Sequence, residues 1–322
     1  AAPVFLAKLA AAHEIHGVIS LGGGGGTAIA TAAMRALPLG FPKLMVSTVA
    51  AGNTAHYLGT KDIVMMPSIT DVAGLNRLSR MIFSRAAGAI CGMVEATVET
   101  AGSRPLVVAS MFGNTTACVT EAKRILEEAG YEVLVFAATG AGGRSMEALI
   151  ESGMVAGVLD LTTTELADEL VGGVMTAGPE RMDAAAKARV PVVVAPGCLD
   201  MVNFGEPTSI PAKFAGRGFY FHNPQVTLMR TTPEECAELG RIMAEKTNHY
   251  KAAAIMVPKK AISVISAAGQ PFHYPAADEA LFEAIKIHSK VPVKELDEEI
   301  NSPAFARACA EKLLHLMGWS PA

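Results

Sequence analysis

Five consecutive glycines, Gly22 to Gly26, followed by Thr27, constrain this chain more than any other feature. They lie between a short apolar segment at 18–21 and a helix-like segment that begins near Ala28. Glycine loses more conformational freedom on folding than any other residue, and a simple turn needs only one or two of them. A strand, a glycine loop and a helix in this order bring free N–H groups and the positive end of the helix dipole together. The pattern predicts a loop that binds a phosphate or carboxylate group, with a nucleotide phosphate as the favoured ligand.

The standard nucleotide motifs are incomplete around this loop. A Walker A loop ends in Gly-Lys-Ser/Thr, whereas this run ends in Gly26-Thr27-Ala28 without a lysine. The dinucleotide fingerprint needs a carboxylate about 20 residues further on, and the segment 44–54 contains no acidic residue. A tight non-binding turn and a flexible loop therefore remain as alternative interpretations.

Composition excludes several classes of protein. A length of 322 residues suggests two domains, and 51% hydrophobic with 18% charged residues indicates large buried sheets. A net charge of −4 with scattered signs, and only 6% aromatic residues, argue against nucleic-acid or anionic-membrane partners. No apolar run approaches the roughly 20 residues of a membrane span. The five cysteines are widely spread without a C-x-x-C pair, which favours reduced thiols in the cytoplasm and no metal site.

Strand and helix patterns alternate along the whole chain. Strands are predicted at 18–21, 44–48, 63–69, 106–110, 133–137, 155–160, 191–195, 217–222 and 253–257. Helices are predicted at 28–36, 74–87, 116–129, 145–152, 165–173, 179–188, 233–248, 277–287 and 303–317. This alternation is typical of parallel sheets covered on both faces. We predict an α/β protein of two Rossmann-like, doubly wound parallel-sheet domains with a cleft between them. The domains are residues 1–101, expected to lack the first strand or strands, and residues 102–322.

Ligands of such sheets bind beyond the carboxyl ends of the strands. The loops at the predicted strand ends are rich in Gly, Thr and Asn, which offer donors to anions but also cap helices without any ligand. The candidate nucleotide-binding residues are Gly22, Gly23, Gly24, Gly25, Gly26, Thr27, Thr48, Gly52, Asn53, Thr54 and Asp71. The candidate cleft residues of the second domain are Gly113, Asn114, Thr115, Thr139, Gly140, Gly142, Gly143, Arg144 and Thr163.

Several long motifs resemble one known family. They are GGGGGT at 22–27, VST at 46–48, DVAGLN at 71–76, AGAI at 87–90, LDMVNFG at 199–205 and HNPQVTLMRTT at 222–232. Over nearly the whole chain they resemble the ATP-binding N-terminal region of the tomato mosaic virus resistance protein and its uncharacterised bacterial, fungal and plant relatives. The resemblance implies two Rossmann-like subdomains, a homodimer and ATP held by the glycine loop.

Two features depart from the pattern of these relatives. Relatives usually begin with a strand and a Gly-Thr-x-Asp-Thr-Lys-like segment that this chain lacks. They also tend to carry Gly-Asp where this chain has Gly52-Asn53. Asn53 thus removes an acidic group that would bind ribose or a metal at this position, and Mg²⁺ is a candidate cofactor alongside ATP.

Whether the chain is an enzyme stays open at this point. Cys198 is a candidate nucleophile with His222 as its base, and Glu165 and Asp200 are candidate general acids or bases. Each also fits a packed, capping or ion-paired residue. One hypothesis is an ATP-binding protein that acts through a partner or a fused enzyme domain. The alternative is a hydrolase- or lyase-type metabolic enzyme that acts on a small phosphorylated or carboxylic substrate in the cleft.

Overall fold

The computed structural model describes residues 1–97 and 104–320. The chain divides into two compact units, Ala1–Gly102 and Ser103–Ala322. The boundary predicted between residues 101 and 102 lies outside the described residues. Each unit is built on a parallel sheet flanked by helices, so the α/β class is confirmed.

The first unit contains a three-stranded sheet with β2 in the centre. Its elements are α1 (Ala2–Ala11), β1 (Val18–Gly22), α2 (Gly24–Met34), β2 (Lys43–Ser47), α3 (Ala55–Leu58), β3 (Val64–Pro67) and α4 (Arg77–Glu95). The order is β1-β2-β3, and both pairings are parallel. Successive side chains of a strand point to opposite faces. Leu44 and Val46 accordingly pack with α4, while Met45 packs with Met34 of α2. Helices therefore cover both faces of this sheet.

The second unit contains a six-stranded parallel sheet and a small antiparallel one. Its elements are β4 (Leu106–Met111), α5 (Thr116–Glu128), β5 (Glu132–Ala137), α6 (Ala141–Glu151), β6 (Val155–Thr162), α7 (Thr164–Val171), α8 (Ala184–Ala188), β7 (Val192–Gly197), β8 (Met201–Phe204), β9 (Phe219–Asn223), β10 (Val226–Arg230), α9 (Pro233–Thr247), β11 (Ala253–Pro258), α10 (Pro275–His288), β12 (Val293–Leu296) and α11 (Pro303–Leu316). The large sheet has the order β12-β11-β7-β6-β4-β5, and the small one has the order β8-β10-β9.

The strand order of the large sheet reverses between β4 and β6. These two strands are neighbours, but the chain continues from β4 to β5 on one side and from β6 to β7 on the other. Val107 of β4 packs in a cluster with Phe305 of α11, and Val108 packs in the opposite cluster with Leu281 of α10. Both faces are thus covered. The crevice at such a reversal, beyond the carboxyl ends of the strands, is the usual ligand site of an open α/β sheet.

The structure differs from the sequence-based expectation in several elements. Strands β8, β10 and β12 were not predicted, and β8 begins only four residues after β7 ends. The helix predicted at 179–188 is reduced to Ala184–Ala188, because Met182 has a positive φ of 75° and Arg181 is turned into the interior. Within residues 1–97 and 104–320, no helix has the length and apolar character needed to cross a membrane.

Candidate functional site

The glycine run spans the junction between β1 and α2. Gly22 ends the strand, Gly23 is the extended N-cap residue, and Gly24 begins the helix. The first backbone hydrogen bond of the helix joins the N–H of Thr27 to the carbonyl oxygen of Gly23 at 2.8 Å. The N–H groups of Gly24 and the next two glycines precede this bond, so they have no partner within the helix. The loop therefore presents the amino end of an 11-residue helix at the carboxyl edge of the sheet.

Packing is tight around the first glycine of the run but open around the last two. A Cβ atom on Gly22 would lie 3.1 Å from the Cα of Gly26, so a larger residue there needs the strand or the helix to shift by a few tenths of an ångström. A Cβ atom on Gly25 or Gly26 would meet no atom within 4 Å, and none of these glycines has a positive φ. Alanine would favour the helix there by about 0.8–1.0 kcal/mol per position. Neither backbone conformation nor internal packing accounts for these glycines.

Thr27 holds the loop in place. Its buried hydroxyl lies 2.8 Å from the carbonyl oxygen of Gly23 and 2.6 Å from the hydroxyl of Ser47 at the end of β2. The Ser47 hydroxyl also accepts the N–H of Val49 at 3.1 Å. Because these bonds occupy the Thr27 side chain, it positions the glycine backbone rather than offering a hydroxyl to a ligand.

Two further hydroxyl groups lie beside the loop. Thr48 is exposed, and its Oγ1 lies 3.7 Å from the place where a Cβ atom of Gly23 would be. The Oη of Tyr57 lies 4.0 Å from the corresponding place at Gly24. Arg35 anchors α3, which carries Tyr57, by donating from Nη1 to the Tyr57 carbonyl oxygen at 2.6 Å. Thr48 was a predicted site residue, whereas sequence reasoning missed Tyr57, which no motif distinguishes from a packing residue.

The other predicted nucleotide-binding residues lie in the loops that follow β2 and β3. Asn53 accepts the N–H of Ala55 at 3.1 Å and thereby supports the start of α3, whose N-cap residue is Thr54. Asp71 accepts the N–H of Val72 at 2.7 Å. Gly52, Asn53 and Asp71 are exposed. The side-chain hydrogen bonds of Asn53 and Asp71 are local, and the part of all these residues in ligand binding stays a prediction.

The second glycine-rich loop, at the start of α6, differs from the first in one decisive respect. The N–H groups of Gly140 and Gly143 donate to Oε1 of Glu165 at 2.7 and 3.2 Å. A Cβ atom on Gly142 would collide with the carbonyl oxygen of Ala137, and one on Gly143 would collide with the Glu165 carboxylate. Internal packing thus accounts for the glycines, and a carboxylate of the protein itself occupies the amino end of this helix.

The remaining predicted residues near that loop also make internal bonds. Arg144 donates from Nη1 to the carbonyl oxygen of Thr176 at 2.8 Å, and Thr139 donates to that of Ala137 at 3.4 Å. At the neighbouring strand ends, Thr115 hydrogen-bonds Thr162 at 2.7 Å. Thr163 lies at 3.2 Å from the carbonyl oxygen of Ala195. These residues connect elements of the large sheet.

A buried arginine organises the carboxylates beneath the second loop. Arg181 is fully buried, and its Nε donates to Oε2 of Glu165 at 2.6 Å. Its two terminal nitrogens donate to the carboxylate of Asp160 at 2.6 and 2.7 Å, and Nη1 also reaches Glu147 at 3.2 Å. Glu165 is therefore an inaccessible structural anchor, which weighs against its predicted role as a general acid or base. Sequence reasoning missed Arg181, because nothing in its local pattern indicates a buried ion pair.

Cys198 and Asp200 lie in the turn between β7 and β8. Cys198 is fully buried among Met201, Leu228 and other apolar side chains, with a positive φ of 61°. Burial, with the nearby charge of Asp200 as a lesser cause, raises the pKa of its thiol well above the usual value. His222 is exposed on β9 and makes no hydrogen bond with Cys198. A buried, protonated thiol without a base is a poor nucleophile, so the structure does not support the predicted Cys198–His222 pair.

This arrangement predicts how the thiols react. Cys91 is exposed, whereas Cys118, Cys198, Cys236 and Cys309 are buried. We expect a thiol reagent to label about one cysteine rapidly in the native protein, and all five in denaturant. Cys91→Ser should abolish the rapid phase. Rapid labelling of Cys198 in that variant would contradict its burial and restore it as a candidate nucleophile.

Asp200 is a buried carboxyl group with one unused oxygen. Its Oδ2 accepts the hydroxyl of Ser263 at 2.7 Å, whereas its Oδ1 has no hydrogen-bond partner among the described residues. Burial is the main cause that raises its pKa to about 6, and the charge of Asp278 adds to the effect. Arg230 and the Ser263 hydrogen bond act in the opposite direction.

The shift predicts a pH dependence of stability. A carboxyl group with a raised folded-state pKa stabilises the fold fully below the unfolded-state pKa, near 4, and loses that contribution as the pH rises through 6. A shift of this size corresponds to roughly 3 kcal/mol. The destabilisation caused by Asp200→Asn should therefore be smaller at pH 7 than at pH 4 by about that amount. Denaturant titrations at both pH values test this, with Asn at the exposed Asp297 as the matched control. Equal effects at both pH values would contradict it.

Among residues 1–97 and 104–320, no three or more His, Cys, Asp or Glu side chains come together as a metal-binding group.

Two family models match the chain, one in each unit. The N-terminal domain of an uncharacterised protein family (UPF0261) matches residues 1–99, and the C-terminal domain of the same family matches residues 104–317. Together with the similarity to the tomato protein described next, these matches confirm the resemblance based on the glycine run and the other motifs.

Curated relatives are similar over nearly the whole chain. A UPF0261 protein of Clostridium tetani is 51% identical over 315 residues, which cover 96% of this chain and 78% of that protein. A UPF0261 protein of Rhizobium meliloti is 47% identical over 309 residues, 94% of this chain and 77% of that protein. The ToMV resistance protein Tm-1(GCR237) of Solanum lycopersicum is 42% identical over 315 residues, 94% of this chain but 42% of the tomato protein.

Proposed function

This chain belongs to the uncharacterised protein family UPF0261, and from that premise we propose that it binds ATP, or a ligand with a similar phosphate group, at the amino end of α2. One observation carries the proposal. Gly24, Gly25 and Gly26 are exposed, and the packing of the fold leaves room for a side chain at each of them. Bare backbone at a helix start lets an anion come within hydrogen-bond distance of several N–H groups at once.

The chain's own groups would hold the phosphate in three ways. The N–H groups of the first turn of α2 donate to its oxygens, and the helix dipole favours its negative charge. The hydroxyls of Thr48 and Tyr57 lie at the rim of the loop and supply further donors. Thr27 and Ser47 keep the loop against the sheet, so that these donors are in place before the ligand arrives.

The groups beside the loop favour binding over turnover. They are backbone N–H groups and the hydroxyls of Thr48 and Tyr57, and none of them is a carboxylate or an imidazole that could take a proton from an attacking water. The proposed role of ATP is therefore that of a structural or regulatory ligand, with Mg²⁺ bound through the phosphate oxygens. As further parts of the proposal, the units are two Rossmann-like domains with a ligand cleft, and the protein is a cytoplasmic homodimer. It acts through a fused or partner enzyme domain.

Thermal unfolding with and without ATP–Mg²⁺ tests the proposal. Binding to the native state should raise the free energy of unfolding by about 2.7 kcal/mol at a hundredfold excess over Kd. Gly24→Asp places a carboxylate where the phosphate would lie and should abolish the shift. Gly88→Asp is the matched control, because Gly88 is exposed on α4 with no atom within 4 Å of an added Cβ atom.

The outcomes separate the alternatives. If ATP–Mg²⁺ raises the unfolding temperature of the control Gly88→Asp but not that of Gly24→Asp, the result supports a phosphate at the glycine loop. If tripolyphosphate raises the unfolding temperature of the unmodified protein and adenosine does not, the phosphate groups are responsible for the affinity. Absence of any shift in the unmodified protein would contradict the proposal. Steady release of inorganic phosphate would contradict a purely structural or regulatory role of ATP.

A further inference from the structure

A small cavity lies in the second unit beyond the carboxyl end of β4. Its volume is about 190 Å³. It is lined by Phe112, Gly113, Asn114, Met175, His222, Asn223, Val226 and Leu228. β4 borders the point where the strand order of the large sheet reverses, and the β9–β10 hairpin forms the opposite wall. The cavity thus occupies the usual ligand position of an open α/β sheet.

The side chain of Asn114 is nearly buried, and its amide group makes only a weak hydrogen bond. The residue is 8% exposed and lines the cavity. Its Nδ2 donates to the sulfur of Met201 at 3.8 Å. A thioether is a weak acceptor. A ligand in the cavity would give the Nδ2 group of Asn114 a stronger acceptor than this sulfur.

Gly113 gives a second, independent indication. It is exposed, has no positive φ, and a Cβ atom added to it would meet no atom within 4 Å. It begins a 3-10 turn, Gly113–Thr115, that leads directly into the 13-residue helix α5. As at Gly25, the fold does not require glycine here, and the bare backbone faces a space that a ligand can enter.

The polar lining favours an anion with a small apolar part. Asn223 accepts the N–H of Gln225 through Oδ1 at 2.9 Å, which leaves its amide hydrogens free to donate. His222 adds an exposed ring nitrogen, and the lining contains no acidic side chain. Phe112, Val226 and Leu228 form an apolar wall. At about 30 Å³ per water-sized group, the cavity holds a molecule of roughly six non-hydrogen atoms.

We propose that this cavity binds a small carboxylate of two to four carbon atoms. The carboxylate accepts hydrogen bonds from the Gly113 backbone and the Asn114 and Asn223 amides, near the start of α5, and the carbon chain packs on the apolar wall. A hydroxyl group on the ligand donates to Oδ1 of Asn114, so a 2-hydroxycarboxylate matches the polar groups best. The site is independent of the phosphate loop and requires no ATP.

Calorimetric titration of the full chain with lactate tests the proposal, with lactamide as the uncharged ligand of the same shape. Asn114→Asp places a negative charge against the carboxylate, and Gly113→Ala fills the space next to the backbone. Each should lower the affinity for lactate at least tenfold. Gly113→Ala should leave the unfolding temperature nearly unchanged, because its methyl group meets no atom within 4 Å. Asn114→Asp also places a charge at a nearly buried position and should lower the unfolding temperature. Gly88→Ala, which also adds a methyl group in open space, should change the affinity less than twofold.

Side-chain amide signals in a ¹⁵N NMR spectrum detect lactate binding independently of the calorimetric titration. Lactate should shift the Asn114 and Asn223 amide signals of the unmodified protein and of Gly25→Ala alike. No binding of lactate, equal binding of lactamide, or unchanged affinity in both site variants would overturn the proposal. Loss of lactate binding in Gly25→Ala would overturn the independence of the two sites.

Discussion

Replacement of Arg181 by methionine is expected to destabilise the second unit by about 3–5 kcal/mol, enough to unfold a marginally stable protein. The fully buried guanidinium balances Asp160 and Glu165, which are also buried. Methionine fills much of the volume but leaves three carboxylates, those of Asp160, Glu165 and the less buried Glu147, without their cation. Glu165 would then also hold the Gly140 loop less firmly, because the same carboxylate accepts the loop N–H groups.

Denaturant titration measures this effect, and Arg241→Met is the matched control. Arg241 likewise pairs with more than one carboxylate, those of Glu238 and Glu245, but it lies on the surface of α9 with its side chain 37% exposed. Exposed pairs contribute about 0–1 kcal/mol. Similar decreases in the free energy of unfolding for Arg181→Met and Arg241→Met would contradict the assignment of Arg181 as the buried anchor of this cluster.

Alanine substitution in the two glycine loops is expected to change stability in opposite directions. Gly142→Ala should cost about 3 kcal/mol or more, because its Cβ atom would collide with the backbone oxygen of Ala137. Gly25→Ala should stabilise the protein by up to about 1 kcal/mol, because it improves α2 and meets no neighbour. Both substitutions replace a glycine in the first turn of an 11-residue helix.

Thermal unfolding of the two variants and of Gly88→Ala, the control in open space, measures the difference. Destabilisation by Gly25→Ala would mean that the fold itself needs this glycine. The structural support for a ligand at the loop would then disappear. Stabilisation by Gly142→Ala would contradict the packing of α6 against β5.

The elements that local patterns encode were predicted well from the sequence. Helix α9 was expected at 233–248 and runs over Pro233–Thr247, where Thr232 and Glu235 form a capping box. The apolar runs of β4, β6 and β11 were also predicted close to their observed bounds. Such signals lie within a few residues of each other, so no knowledge of the tertiary structure is needed to read them.

Features that depend on distant contacts were missed. β8 is stabilised by pairing with β10, 25 residues further along the chain, and its four residues carry no period of their own. The two glycine loops look alike in sequence, but only the structure shows that Glu165 fills one and that the other is open. Arg181 and Tyr57 owe their places to partners 16 or more residues away, Glu165 and Arg35.

Equilibrium dialysis of ATP against the unmodified protein, Gly25→Ala and Gly88→Ala tests the central claim most directly. If phosphate binds to the bare backbone of the glycine loop, Gly25→Ala should weaken binding at least tenfold while it raises the unfolding temperature. Gly88→Ala should bind ATP as the unmodified protein does. Equal ATP affinity in all three proteins, or no ATP binding by any of them, would contradict the assignment of the loop as a phosphate site.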